Sequence, residues 1–307
     1  MPWRLPPDSR VYMADQPHTT SPIAVQGLSP AFTSQGVPLI GRVNGLGLWT
    51  LYTKEVRRFM KVQTQTVWAP AATTLLFLVI FTVALASGGS NGAGRMVLGV
   101  NFATFVAPGL IVMGMMQNAF ANSSFSFLAG KMQGTIIDYL MPPLSEGELM
   151  VAIVGAAVTR AVLVGLALAA AMLVWPGVTL SVAHPWAVVW FGMCGAVLLA
   201  TIGLLTSIWA DKFDHAAAVT NFIIQPLSLL SGTFYVIDKL APGFQAVSRV
   251  NPFFFVISGF RYGFLGRSDL GDSNIAVLHG GIALGLIVLA LVLTTYVVLR
   301  SGWKLKS

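Results

Sequence analysis

The sequence predicts an all-α integral membrane protein with six transmembrane helices, an N-terminal interfacial helix and a re-entrant helical hairpin between spans five and six. Three observations predict it. First, 55% of the 307 residues are hydrophobic and only 9% are charged, against about 25% charged in soluble domains. Second, the windows 62–94, 96–130, 161–210, 216–237 and 273–299 contain no Asp, Glu, Lys or Arg. Each exceeds the roughly 18 apolar residues of a membrane span, and the window from 161 holds two. Third, residues 251–266, NPFFFVISGFRYGFLG, are as apolar as a span but too short to be one.

In chain order, residues 1–45 hold seven of the sixteen prolines among Ser, Thr, Gln and Gly. Such a composition cannot build a core and predicts a largely disordered cytoplasmic tail. No apolar stretch precedes residue 60, so no cleavable signal peptide is expected. From 46 to 62, Trp49, Tyr52, Val56, Phe59 and Met60 recur at helical spacing. Lys54, Glu55, Arg57, Arg58 and Lys61 fill the remaining arc. An aromatic face opposite a basic one predicts a helix lying on membrane lipid at the interface.

The transmembrane region, 63–307, divides into spans at about 66–86, 100–122, 148–175, 186–209, 216–236 and 275–299. With the N-terminus inside, twelve Lys and Arg fall on the cytoplasmic side and five on the other, Arg160 lying within the third span. That asymmetry predicts both termini in the cytoplasm of a bacterial inner membrane. It also accounts for the net charge of +7 without nucleic acid as a partner.

Two connections carry the informative residues. In the cytoplasmic loop 123–147, Ile136, Ile137, Leu140 and Met141 form a short apolar face beside Lys131, Gln133 and Asp138, and Pro142-Pro143 ends it. A short amphipathic helix there suits either a soluble partner or the membrane surface. Ser145 fits an N-cap for the third span, with Glu146 and Glu148 in its first turn. In the outer connection, 237–274, the stretch 251–266 opens on Asn251-Pro252, a pair that breaks regular structure, and closes on Gly266. A segment that dips into the outer half and returns must be covered by protein or line water, which lets Arg261 reach the interface or a lumen. Arg160 is the remaining intramembrane charge. It either faces the bundle interior or lies near the inner interface, if the third helix starts well inside the cytoplasm.

No catalytic site is legible. His18, His184, His215 and His279 are scattered without metal-ligand spacing, Cys194 is alone, and no G-x-S-x-G occurs. Gly130-Lys131 is followed by Met132 where a Walker A motif requires Ser or Thr. The chain is therefore expected to bind no ATP by that route and to hold no metal.

Together these features resemble an ABC-2 type permease, the membrane subunit of a bacterial ABC exporter. The likeness rests on three pieces: the second span with the loop after it, up to "SEGEL"; "SGTFYVIDKLAPGFQAVSRVNPF" in the outer connection; and the signature Asn251, Pro252, Arg261 and Gly266. It covers roughly residues 46–305, in the broad group with nodulation-factor, polysaccharide and drug export permeases. The resemblance implies a pathway built from two copies of the chain. Two copies of a separate nucleotide-binding ATPase subunit, which carry ATP and Mg, would dock on the loop around Lys131 to Met141 and on the helix around Trp49 to Lys61. It also implies that the re-entrant segment caps the path at its outer face, and that the substrate is a lipid, a glycan or another hydrophobic molecule. Two other readings stay open: a self-sufficient ion-coupled transporter or channel, and a membrane enzyme using Asp238, Asp269 and Asp272. The first would need intramembrane acids and the second a clustered catalytic site.

Overall fold

The computed structural model describes residues 43–62, 64–86, 96–97, 99–174, 178–237, 240–271 and 273–304. The proline-rich tail, except for its last three residues, lies outside these, as do Arg95, Lys239 and Lys306 from the tally of basic residues.

Helix α1, Gly45–Met60, starts where the Asn44 side chain accepts a hydrogen bond from the Gly47 amide at 2.9 Å. A π-helical turn, Thr64–Trp68, leads into α2, Ala69–Ala86. A two-residue antiparallel pair, Met96–Val97 with Val100–Asn101, precedes α3, Phe102–Met132. The short α4 is Ile137–Leu140, and α5 is Glu146–Leu173. Helix α6, Pro185–Trp209, is followed by α7, Phe213–Val219, a π turn Thr220–Ile224, and α8, Gln225–Leu229. The connection 237–274 holds α9, Pro242–Val250, and α10, Pro252–Leu265, before α11, Asn274–Ser301.

Among the described residues, four helices, α3, α5, α6 and α11, are long and apolar enough to cross a membrane. Their burial separates centre from rim: the apolar window of α3 is 89% buried and that of α11 only 17%. Helix α3 therefore forms the axis, packed by α5, α6 and α10, and α11 packs on the outside of α6. Small residues set the α3–α6 distance. At Gly203 a Cβ would stand 2.6 Å from the Phe120 carbonyl oxygen, so only glycine lets the backbones approach this closely.

The two remaining predicted spans depart from expectation. The first is a helix over 64–86 and the fifth a helix over 213–229, both interrupted by a π turn. Pro70 and Pro226 supply the reason: each lacks an N–H for the carbonyl four residues back, and the turn before it widens. After Leu229 the chain turns, so the fifth segment ends seven residues before the predicted 236. The second span is longer than predicted. It runs ten residues past 122 as continuous helix, so Lys131 stands on a helix end rather than in a loop.

Gly281 and Gly285 of α11 both receive Trp190 of α6, whose Nε1 donates to the Gly281 carbonyl at 3.2 Å.

Candidate functional site

One end of the bundle gathers α1, the C-terminus of α3, α4, the N-terminus of α5 and the ends of α6 and α11. Its apolar floor contains Leu51, Phe127, Tyr139, Leu149, Leu204 and Leu299, all buried. Above that floor sits a polar node that sequence reasoning missed. Glu55 of α1 is fully buried and accepts hydrogen bonds from Ser126 at 2.6 Å and Tyr139 at 2.9 Å. Arg58 pairs with it at 3.0 Å and also donates to the backbone carbonyl of Asn122 at 3.1 Å. The node ties α1, α3 and α4 together. Burial, and then the negative charge of Glu55, push the Tyr139 hydroxyl up to about 12. Lys54 covers the outer side of the Tyr139 ring at 4.2 Å.

This node rotates α1 relative to expectation. The buried stripe is Leu51, Glu55 and Phe59, with Tyr52, Val56 and Arg58 half-buried, whereas Trp49 and Met60 of the predicted apolar face are exposed with Lys54, Arg57 and Lys61. The reason is energetic. A carboxylate with three donors is worth more against α3 and α4 than Trp49, which stays exposed and stacks on Tyr52 at 5.4 Å. The legible signal was a lone acid in a cationic stretch, three residues before Arg58.

The loop residues divide into scaffold and surface. Lys131 is scaffold: its ammonium donates to the carbonyls of Ile208 at 2.9 Å and Ala210 at 3.0 Å and lies 3.6 Å from Asp211. It caps the C-terminus of α6, where cations are favoured. Lys304 does the same through the Trp209 carbonyl at 3.1 Å and Asp211 at 3.2 Å. The hydrogen bond from Lys304 holds the Asp211 carboxyl below the usual carboxylate range. Ile136 is half-buried, while Gln133, Ile137, Asp138 and Met141 are exposed, and Leu140 closes the same turn. Behind them, Ser145 and Glu148 form a reciprocal capping box at the start of α5, and Glu148 also accepts from the Asn44 amide. The predicted N-cap is thus present and doubly used.

The signature from Asn251 to Gly266 is likewise structural. Asn251 caps α10 by accepting from the Phe253 amide at 3.0 Å, and its Nδ2 donates to the Leu227 carbonyl at 2.7 Å. Pro252 occupies the first helical position, where its missing N–H costs nothing. Gly266 ends the helix at φ 67°, a left-handed conformation that favours glycine. Arg261 reaches neither interface nor lumen, contrary to expectation. Its side chain is completely buried, 3.2 Å from Asp269, donating to the Gly232 and Thr233 carbonyls at 2.8 and 3.2 Å and resting 3.9 Å over the Phe105 ring. The turns after α8 expose carbonyls inward, and an arginine is the side chain able to fill several at once.

Arg160, on α5, is half-buried and donates to the Asn118 Oδ1 of α3 at 3.0 Å. Between α3 and the α7–α8 helix lies a cavity of about 410 Å³, lined among others by Gln117, Ser124, Phe125, Phe213 and Gln225. Gln117 donates to Gln225 across its floor at 3.3 Å, and Phe125 stacks on Phe213 at 5.2 Å. Such a mixed lining accepts a molecule with both apolar and hydrogen-bonding parts. Among the described residues no cluster of His, Cys, Asp or Glu has the makings of a metal site.

Comparison with known proteins places this architecture. The model of the family described as ABC-2 type transporter matches residues 47–265. The chain is 36% identical over 226 residues to the inner membrane transport permease YadH of Escherichia coli K12, covering 73% of this chain and 85% of that protein. The YadH of Shigella flexneri aligns to the same extent. Nodulation protein J of Rhizobium leguminosarum bv. viciae is 28% identical over 226 residues, 72% of this chain and 83% of that protein. A bundle of long apolar helices, a capped pair of helices before the last of them and a family match across α1 to α10 converge on one conclusion: the chain belongs to the ABC-2 type transporter family.

Proposed function

We propose that two copies of this chain form the membrane pathway of an ATP-driven exporter in a bacterial inner membrane, powered by a separate nucleotide-binding subunit that carries ATP and Mg. The observation that carries this reading is the presentation of α4. Its buried Tyr139 is bolted to Glu55, while Ile137 and Met141, 56% and 78% exposed, project outward beside Asp138. A short helix with a rigid root and an unspent apolar tip is suited to transmit the motion of a docked subunit into α1, α3 and α5. The names of the relatives support the same reading, one being a transport permease of the inner membrane.

Orientation follows from charge. Lys54, Arg57, Arg58, Lys61, Lys131 and Lys304 share the end that carries α4, which favours that end, and both termini, as cytoplasmic. The outer pair α9–α10 then caps the opposite end as a re-entrant element. An exposed apolar face beside the α3–α8 cavity, with Phe222 81% and Phe125 55% exposed, suits contact with the second copy. The cavity's own lining suits a lipid, a glycan carrier or another amphipathic substrate.

The test is copurification. The tagged chain, extracted mildly from its native membrane, should bring down an ATPase in equal number. The double variant Ile137→Ser with Met141→Ser should lose that ATPase and keep its melting temperature, because neither side chain is packed. A chain that emerges alone under conditions preserving a control complex, or a double variant that keeps its partner, defeats the proposal.

A further inference from the structure

Asn118 and Asn122 lie one turn apart on the same face of α3, about 6 Å along its axis at 1.5 Å per residue. Each receives an arginine from a different helix. Arg160 of α5 donates its Nη2 to the Asn118 Oδ1, and Arg58 of α1 donates its Nη2 to Asn122. Glu55 is the carboxylate that answers these two cations, and it is already committed to Arg58, Ser126 and Tyr139. Arg160 makes no ion pair among the described residues. Two donors in this cluster are buried without a hydrogen-bond partner there: Nε of Arg160 and Nδ2 of Asn122, a residue only 1% exposed.

Buried donors beside an excess of positive charge are costly unless an acceptor meets them. Nothing in the cluster except the spent Glu55 carries negative charge. From Arg58, Arg160 and Asn122 in this arrangement we infer a binding site for a phosphate group between α1, α3 and α5. Guanidinium nitrogens and an amide at hydrogen-bonding reach are the groups that recognise a phosphate oxyanion. The source the geometry favours is the headgroup of an anionic phospholipid of the inner leaflet. Tyr52 of α1 hydrogen-bonds Thr159, the neighbour of Arg160, at 2.8 Å. Arg160 thus lies level with α1, whose exposed Trp49, Arg57 and Lys61 suit the headgroup layer. This step rests on α1 lying at the membrane surface, not on the identity of any ATPase.

The test uses the full chain in phosphatidylcholine nanodiscs doped with dioleoyl-phosphatidylglycerol, released for native mass spectrometry. Wild type should retain phosphatidylglycerol, and Arg160→Gln should retain roughly tenfold less, as loss of a charge-assisted contact implies. Asn122→Asp guards against misfolding, because it supplies the missing acceptor internally. It should melt at or above wild type and still lose the lipid. Lys212→Gln, exposed on another loop, is the control for bulk charge. In a second arm, inorganic phosphate is added to lipid-free protein in detergent. If phosphate raises the melting temperature of wild type but not of Arg160→Gln, while lipid retention is equal in both, the site takes free phosphate instead of a headgroup. If wild type, Arg160→Gln and Asn122→Asp retain the same lipid and phosphate stabilises none of them, the inference is overturned.

Discussion

Replacing Arg261 by leucine probes the Asn251–Gly266 signature most directly. The geometry predicts a loss of folding stability. The guanidinium is fully buried, paired with an Asp269 side chain only 2% exposed, and satisfies two inward carbonyls, Gly232 and Thr233. Removing the guanidinium takes a cation away from the buried Asp269 and two donors from inward carbonyls, at about 3–5 kcal/mol. For a domain of this size that lowers the melting temperature by roughly 6–10 °C, at about 2 °C per kcal/mol. Adding Asp269→Leu removes the carboxylate that lost Arg261. The double variant then loses chiefly the donors to two carbonyls, about 1–3 kcal/mol, and should melt between wild type and the single variant. The assay is thermal unfolding of detergent-solubilised protein, wild type, both singles and the double in one cycle. If Arg261→Leu melts with wild type, or the double loses the sum of the singles, Arg261 is not the staple that holds the turns after α8 to α10.

Other consequences concern the opposite end and the bundle axis. Glu55→Gln keeps shape but weakens three interactions, so α1 should loosen and trypsin should cut at Arg57 and Lys61 roughly tenfold faster; an unchanged cleavage rate removes the node. Gly203→Ala places a Cβ 2.6 Å from a backbone oxygen that cannot rotate away, and should cost about 1–3 kcal/mol, read as a lower melting temperature. Tyr139 should ionise above the usual tyrosine range, near 12, in an ultraviolet titration. Because its folded value is raised, its contribution to stability is complete below about pH 10 and fades as the pH climbs toward 12. Titration with the ordinary tyrosines refutes its burial against Glu55.

The long helices were legible because the cost of exposing charge to lipid is paid residue by residue, and an uncharged window records it directly. Helix ends marked by local chemistry were equally legible. Ser145 with Glu148, and Asn251-Pro252 with Gly266, cap their helices through contacts within a few residues. The fifth segment ends seven residues before the expected 236, because hydropathy does not register where an apolar stretch leaves the helix and turns. What only the tertiary structure decided is how each charge is spent. Lys131, expected in a docking loop, caps α6; Arg261, expected at the interface or a lumen, is a buried staple; and Glu55, expected on a polar face, is the centre of a node. The partners in these three cases lie 77, 29 and 71 residues away in sequence. A side chain's type sets how much it costs to bury, and only the fold determines which distant groups meet that cost.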